Sequence, residues 1–326
     1  MNLKEKLKGY CNSLGLDTVG FIKCRTFNEL EGFYSERKAL NLENEFEEEN
    51  IDKRINPNIY MENGKTIISI AFPYLHNTEY FDNGFSVYTR GLDYHKVVKS
   101  YLNKICDYIK ELGGDAVALV DSNTLPERYI AYLAGIGFIG KNNLIITEKY
   151  GSFVFLGEII TDLEIDCEDL RNFEEINKFK ECKDCNNCYK SCPTKSINAV
   201  RKNSNICVSY LTQKKDLEDK YIKLLKGKVF GCDICQDVCP YNEKKHFSKI
   251  EEFKPLSFMN ENNTEVLANI NNREFKETFL QTSCGWRGKN VLKRNAIIKL
   301  AKNSSYNLRD LKTDSSYLIN YINRLL

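Results

Sequence analysis

Cys182-Lys-Asp-Cys185-Asn-Asn-Cys188-Tyr-Lys-Ser-Cys192-Pro193 is the stretch on which the fold of this chain turns. Its spacing is C-x2-C-x2-C-x3-C-P, at which three thiolates wrap one [4Fe–4S] cube while the fourth turns outward and proline ends the loop. A second stretch, Cys232-Asp-Ile-Cys235-Gln-Asp-Val-Cys239-Pro240, has the same ending and one cysteine fewer, and Cys207 lies between the two. In paired motifs of this kind the outward cysteine serves the other cluster. By that crossing, Cys182, Cys185 and Cys188 hold cluster one with Cys239. Cys232 and Cys235 hold cluster two with Cys192, which leaves cluster two one ligand short. Cys207 is the cysteine in the interval that can supply it. Structural zinc is the alternative, because C-x2-C pairs also serve that metal. Four cysteines at this spacing ending in Cys-Pro are the more specific signal.

Residues 182–243 therefore read as a bacterial-type two-[4Fe–4S] ferredoxin module inside a larger chain. A chain of 326 residues has room for about two domains at roughly 150 residues each. Hydrophobic residues at 42% and charged residues at 28% exclude wholesale disorder. With 47 basic against 45 acidic residues, any nucleic-acid surface must be a local patch. The N-terminus is charged, and the apolar run near Phe153–Ile160 is half a membrane span broken by Gly157 and Glu158. A cytoplasmic protein is expected, with no membrane partner and a monomeric state. Its remaining cysteines (Cys11, Cys24, Cys106, Cys167 and Cys284) are expected as buried small hydrophobes.

Upstream, residues 1–162 alternate strand and helix patterns and fit a layered α/β or α+β domain. Helical spacing covers 3–14 and 27–42, and Asp93–Gly113 reads as a long amphipathic helix. Apolar strands are expected at 17–23, 65–71 and 115–120. Pro126–Gly140 reads as a helix with proline in its first turn. Asn143–Thr147 and Ser152–Thr161 read as a hairpin around Lys149-Tyr150-Gly151. The acidic run Glu43–Asp52 reads as a solvated face. Residues 163–181, with seven acids against three bases, read as a linker, and 244–326 as a basic helical region. No G-x-G-x-x-G follows a strand and no G-x4-G-K-[ST] occurs, so neither a dinucleotide nor a P-loop is indicated.

Three blocks carry a resemblance: Val120-Asp121-Ser-Asn-Thr-Leu-Pro126-Glu127-Arg128, Ala134-Gly135-Ile-Gly137-Phe-Ile-Gly140-Lys141-Asn142, and Gly151-Ser-Phe-Val-Phe-Leu-Gly157-Glu158. Together with the cysteine module and Tyr94-His95, they make the chain resemble epoxyqueuosine reductases over roughly residues 1–300. The resemblance implies cobalamin and two [4Fe–4S] clusters. It implies reduction of the epoxide of epoxyqueuosine, at the wobble position of tRNA, to queuosine, with an unidentified low-potential electron donor. It also implies Asp121 as the proton donor. Asp121 ends an apolar strand, and burial beside a corrin is expected to raise its pKa as a general acid requires; capping of the next helix is the competing role.

The cofactor contacts implied are Tyr88, His95, Asp121, Lys141, Asn142, Ile145, Leu156, Ser209 and Thr212. Direct cobalt ligation by His95 is disfavoured, because a D-x-H-x-x-G match fails at Val98. The tail from Arg273 to Lys312 holds ten basic residues against three acids, and Arg287, Lys289, Lys293 and Arg294 are the expected tRNA contacts. A reductive dehalogenase and a non-catalytic electron carrier are the competing readings.

Overall fold

The computed structural model describes residues 2–200, 202–243, 245–261, 264–302 and 306–326. Its centre is a four-stranded sheet of β1 (Val19–Lys23), β2 (Thr66–Pro73), β3 (Ala116–Leu119) and β6 (Val154–Thr161), in the order β1-β2-β6-β3. Every pairing is antiparallel. The alternation of helix and strand thus yields an antiparallel α+β sheet.

β2 and β6 are central because both of their faces are apolar. On one face Ile68, Ile70, Phe72 and Ile159 pack against helices Leu3–Ser13 and Tyr94–Glu111. On the other, Ile67, Ala71 and Ile160 pack against helix Glu127–Leu133. Gly157 lets the long helix approach, since a Cβ there would meet Val98 Cγ1 at 2.8 Å. The Tyr94–Glu111 helix starts at the Asp93 cap, and the chain leaves it through Gly113 at φ +88°.

The expected hairpin is not formed. Ile145–Ile146 (β5) pairs with Phe138–Ile139 (β4), and only a Thr147–Gly151 bridge closes the 147–151 turn. β6 instead joins the main sheet, where eight residues find partners on β2. The helix expected over 126–140 ends at Leu133, where the chain turns through Gly135 at φ +73° into β4.

The acidic run is also more than a solvated face. Glu47 pairs with Arg37 at 2.8 Å and Arg54 at 3.1 Å, and all three side chains are largely buried. Residues 163–181 lie against the N-terminal core: Ile165 and Cys167 are buried in it, and Leu170 N–H donates to Leu133 O at 2.8 Å.

The cysteine module is fastened to the sheet domain through its second motif. The Asp233 carboxylate accepts from Ser86 Oγ and from Val87 N. Gln236 Nε2 donates to Tyr74 OH at 3.2 Å, and Asn242 Oδ1 accepts from Ser152 N at 2.8 Å. Gly151 at φ +58° allows that approach, because a Cβ there would fall 2.0 Å from Asn242 Oδ1.

The C-terminal helices share a core with this junction: Leu292, Ala296 and Ile297 pack with Phe85, Val229 and Phe230. Among the described residues no helix is long and apolar enough to cross a membrane.

Candidate active site and cluster module

The fold brings the seven motif thiols and Cys207 into one neighbourhood. Cys188 and Cys239 each lie within electrostatic reach of Cys182 and Cys185. Cys235 lies within reach of Cys232, Cys207, Cys188 and Cys192, so it neighbours a thiol of the first group as well. Among the described residues no three Cys, His, Asp or Glu side chains close on a single ion. Burial raises Cys188 to about 11 and Cys232 to about 12. Bound iron inverts that preference, because a metal ion takes the thiolate.

Backbone and hydroxyl donors already face the sulfurs. Lys141 N lies 3.5 Å from Cys182 Sγ, and Thr194 and Ser196 hydroxyls lie 3.7 Å from Cys192 Sγ. This donor set fits two cubes.

The second centre begins where β3 ends. Asp121 takes φ +43°, a left-handed conformation that Asp tolerates better than most residues. Its N–H donates to Glu127 Oε1 at 2.7 Å. Its Oδ2 lies 3.0 Å from His95 Nε2, and His95 Nδ1 lies 2.8 Å from Asp93 Oδ1. The Tyr94 ring stacks on His95 at 4.1 Å and on Phe155 at 4.3 Å. An imidazole held between two carboxylates thus opens to solvent, with the Asp121 side chain 55% exposed.

Burial opposes the charge on Asp121, but the hydrogen bond and charge of His95 outweigh it and hold the carboxyl below its usual value. Burial likewise opposes the His95 charge, and Asp121 with Asp93 lifts the imidazole to about 9. At neutral pH the pair is carboxylate and imidazolium. The burial expected to raise Asp121 does oppose its charge, and His95 reverses the direction. Both ring nitrogens of His95 face carboxylates, so neither is directed at a metal.

The other expected contacts divide. Tyr88 faces Ser209 and Asp121 and so stands between the two centres. Asn142 is buried with its Nδ2 unpartnered, a donor that fits a corrin amide. Leu156 is half-buried and Ile145 fully buried in the core beside helix Glu127–Leu133. Lys141 donates its ammonium to Lys183 O at 2.8 Å and Cys185 O at 3.0 Å, so it braces the cluster-one loop rather than facing a corrin. Thr212 has zero exposure, and its hydroxyl donates to Ser209 O and accepts from Gly231 N. It is a structural residue, not a cofactor contact.

In the tail, the expected tRNA contacts Lys293 and Arg294 are buried, at 7% and 0% exposure. Arg294 donates to the carbonyls of Lys214 and Lys215, both at 2.8 Å, and Lys293 Nζ to Ile270 O at 3.4 Å. Neither presents a charge to a phosphate. Arg287 and Lys289 are partly exposed, and Arg287 Nε donates to Gln213 O at 2.7 Å.

Sequence reasoning left Glu127 and Glu158 without a role. The available signal was a glutamate inside the apolar run Val154–Thr161.

Thiols at two-cluster ferredoxin spacing together with an aspartate–histidine–aspartate chain are the parts of an iron–sulfur oxidoreductase. Family models agree with both halves. One for a 4Fe-4S double cluster binding domain matches residues 181–242, and one for epoxyqueuosine reductase QueG, DUF1730, matches 54–122. The chain is 34% identical to the epoxyqueuosine reductase of Lactococcus garvieae over 312 residues, covering 92% of this chain and 86% of that protein. It is 35% identical to that of Bacillus subtilis over 315 residues, covering 92% and 79%. A crystal structure of selenomethionine-labelled epoxyqueuosine reductase superposes with TM-score 0.89 at 32% identity, over 99% of this chain and 89% of that one. Another, holding an epoxyqueuosine-modified tRNA-Tyr stem loop, gives 0.86 at 33% identity, over 98% and 88%. The chain belongs to the epoxyqueuosine reductase family, and its residues 181–242 form a 4Fe-4S double cluster binding domain.

Proposed function

We propose that Asp121 and His95 act as one proton-delivering pair in the reduction of epoxyqueuosine in tRNA to queuosine. Converting an epoxide to an alkene consumes two electrons and two protons and releases one water. Tyr88, Asn142, Leu156 and Ser209 are the residues that would hold cobalamin, which would supply the reducing electrons, and Cys207 would complete the second cluster.

The protons are the task of this chain's own residues. An alkoxide or hydroxide leaves poorly unless protonated, and a positioned acid contributes about 10²- to 10⁴-fold. The observation that carries the reading is the unbroken Asp93–His95–Asp121 chain ending on an exposed carboxylate. Asp93 orients the imidazole and favours its protonated form. When substrate covers the crevice, desolvation disfavours the separated charges, and the proton moves from His95 to Asp121. Asp121 then delivers it to the leaving oxygen.

The tRNA surface adjoins this pair. Lys96 and Lys104 line an open groove that starts at His95 on the outer face of the long helix, beside Asp107 and beside Lys99, whose ammonium is held by Ala118 O. Such a stripe suits phosphates, which position rather than specify.

The test is His95→Gln, assayed by mass spectrometry of nucleosides from epoxyqueuosine-containing tRNA in single turnover. The variant keeps a polar side chain but carries no titratable proton. The expected result is a loss of about 100-fold with clusters and cobalamin retained. In wild type the rate should fall as pH rises through about 9, where the folded His95 loses its proton. A variant of normal rate with that alkaline limb intact would overturn the pair.

A further inference from the structure

Glu158 lies in the middle of β6 at zero exposure, opposite Ser69 of β2 and Leu119 of β3. Ser69 Oγ lies 3.5 Å from Oε1, and Oε2 is buried with no donor. In front of it stands Glu127, the first residue of its helix, whose carboxyl is in hydrogen-bonding contact with Glu158. Two ionised carboxylates are acceptors only, so one of them must carry a proton to make that bond. A proton on Glu158 satisfies the orphaned oxygen and leaves Glu127 ionised. Glu127 Oε1 then accepts from two donors of the loop that carries the acid: Asp121 N at 2.7 Å and Asn123 Nδ2 at 2.6 Å.

We propose that Glu127 is the positioning residue for Asp121, with buried Glu158 as the proton-holding partner that keeps the Glu127 carboxylate turned toward the loop. The proposal rests on the reading of Asp121 as proton donor. Asp121 enters the left-handed region at the end of a strand, so its carboxyl is aimed by whatever fixes its backbone. Glu127 fixes it from one side while His95 fixes the carboxyl from the other. The pair neither gains nor loses a proton over a cycle, and both protons of the reaction pass through His95 and Asp121.

The charged groups around the pair are Asp121 and Arg128 beside Glu127, with Tyr94, His95 and Asp93 at the start of the long helix. Lys99 of that helix directs its ammonium to Ala118 O. Burial and the Asp121 charge raise Glu127 to about 7, and burial with Glu127 raises Glu158 well above the carboxylate range. Above about neutrality the pair therefore holds one proton. Below it Glu127 takes a second, becomes a weaker acceptor and loosens the loop, so the rate falls as pH drops through about 7.

The experiment uses the cluster- and cobalamin-loaded enzyme with Glu127→Ala, Glu127→Gln and Glu158→Gln. Glu127→Ala should lower the single-turnover rate about ten-fold or more while tRNA KM stays within about two-fold. Glu127→Gln keeps an acceptor oxygen, so it should recover most of that rate and lack the acid limb near pH 7. Glu158→Gln keeps a neutral donor toward Glu127, so it should leave that limb near pH 7 and abolish the protonated-carboxyl carbonyl band in the infrared spectrum at pH 8. An unaltered acid limb in Glu127→Gln, or no such band in wild type, overturns the proposal even if the alanine variant misfolds. Failure of the underlying reading looks different: Asp121→Asn would then turn over normally.

Discussion

Arg294→Ala should destabilise the protein without removing a tRNA contact. The guanidinium has zero exposure and donates to Lys214 O, Lys215 O, Tyr317 OH and Asn295 Oδ1, all within 3.1 Å, and lies over the Tyr321 ring. Truncation leaves two carbonyls without their charged donor and opens a cavity in the C-terminal helices. Each buried acceptor left without its donor costs about 1–3 kcal/mol. That is a large fraction of a typical stability of about 5–15 kcal/mol. The carbonyls concerned follow helix Val208–Gln213, which begins at Cys207, so the loss should reach the second cluster quartet as well.

Anaerobic urea denaturation measures the first effect and iron content the second. tRNA binding titrated against salt supplies the control. A phosphate contact would leave stability unchanged and lower the slope of log K against log salt by about one. That outcome would refute the assignment of Arg294 to the interior.

Cys207→Ala should leave about half of the eight iron and eight sulfide expected for two cubes, and full retention of iron would show that Cys207 is not a ligand. Lys96→Ala with Lys104→Ala should weaken tRNA binding and flatten its salt dependence while cobalamin and iron content stay normal; unchanged affinity at every salt concentration would place the RNA elsewhere.

The cysteine module was legible because its ligand spacing is local: C-x2-C-x2-C-x3-C-P places thiols through a few residues of backbone. The pairing of Asp121 with His95 was not, since they lie 26 positions apart and meet only through the junction of β3 with the long helix. For the same reason the sequence suggested a carboxyl raised by burial, whereas the neighbouring imidazolium lowers it. The basic tail misled because counting charges does not say which face of a helix is covered. Helix Lys289–Leu300 is buried along most of its length, and its Lys293 and Arg294 serve backbone carbonyls. The absent hairpin reflects competition between partners: an eight-residue apolar strand pairs with β2 rather than with the two residues of β5.

The central claim is that Asp121 delivers the proton to the departing oxygen. Asp121→Asn keeps the side chain's size and much of its hydrogen bonding but removes the transferable proton. Its single-turnover conversion of epoxyqueuosine to queuosine in tRNA, followed by nucleoside mass spectrometry on enzyme with measured iron, cobalamin and tRNA binding, is the most direct measurement. The account predicts normal loading and normal tRNA affinity with the rate reduced by at least about 100-fold. Near-normal turnover, or activity lost together with the cofactors, would contradict it and make Asp121 a structural residue.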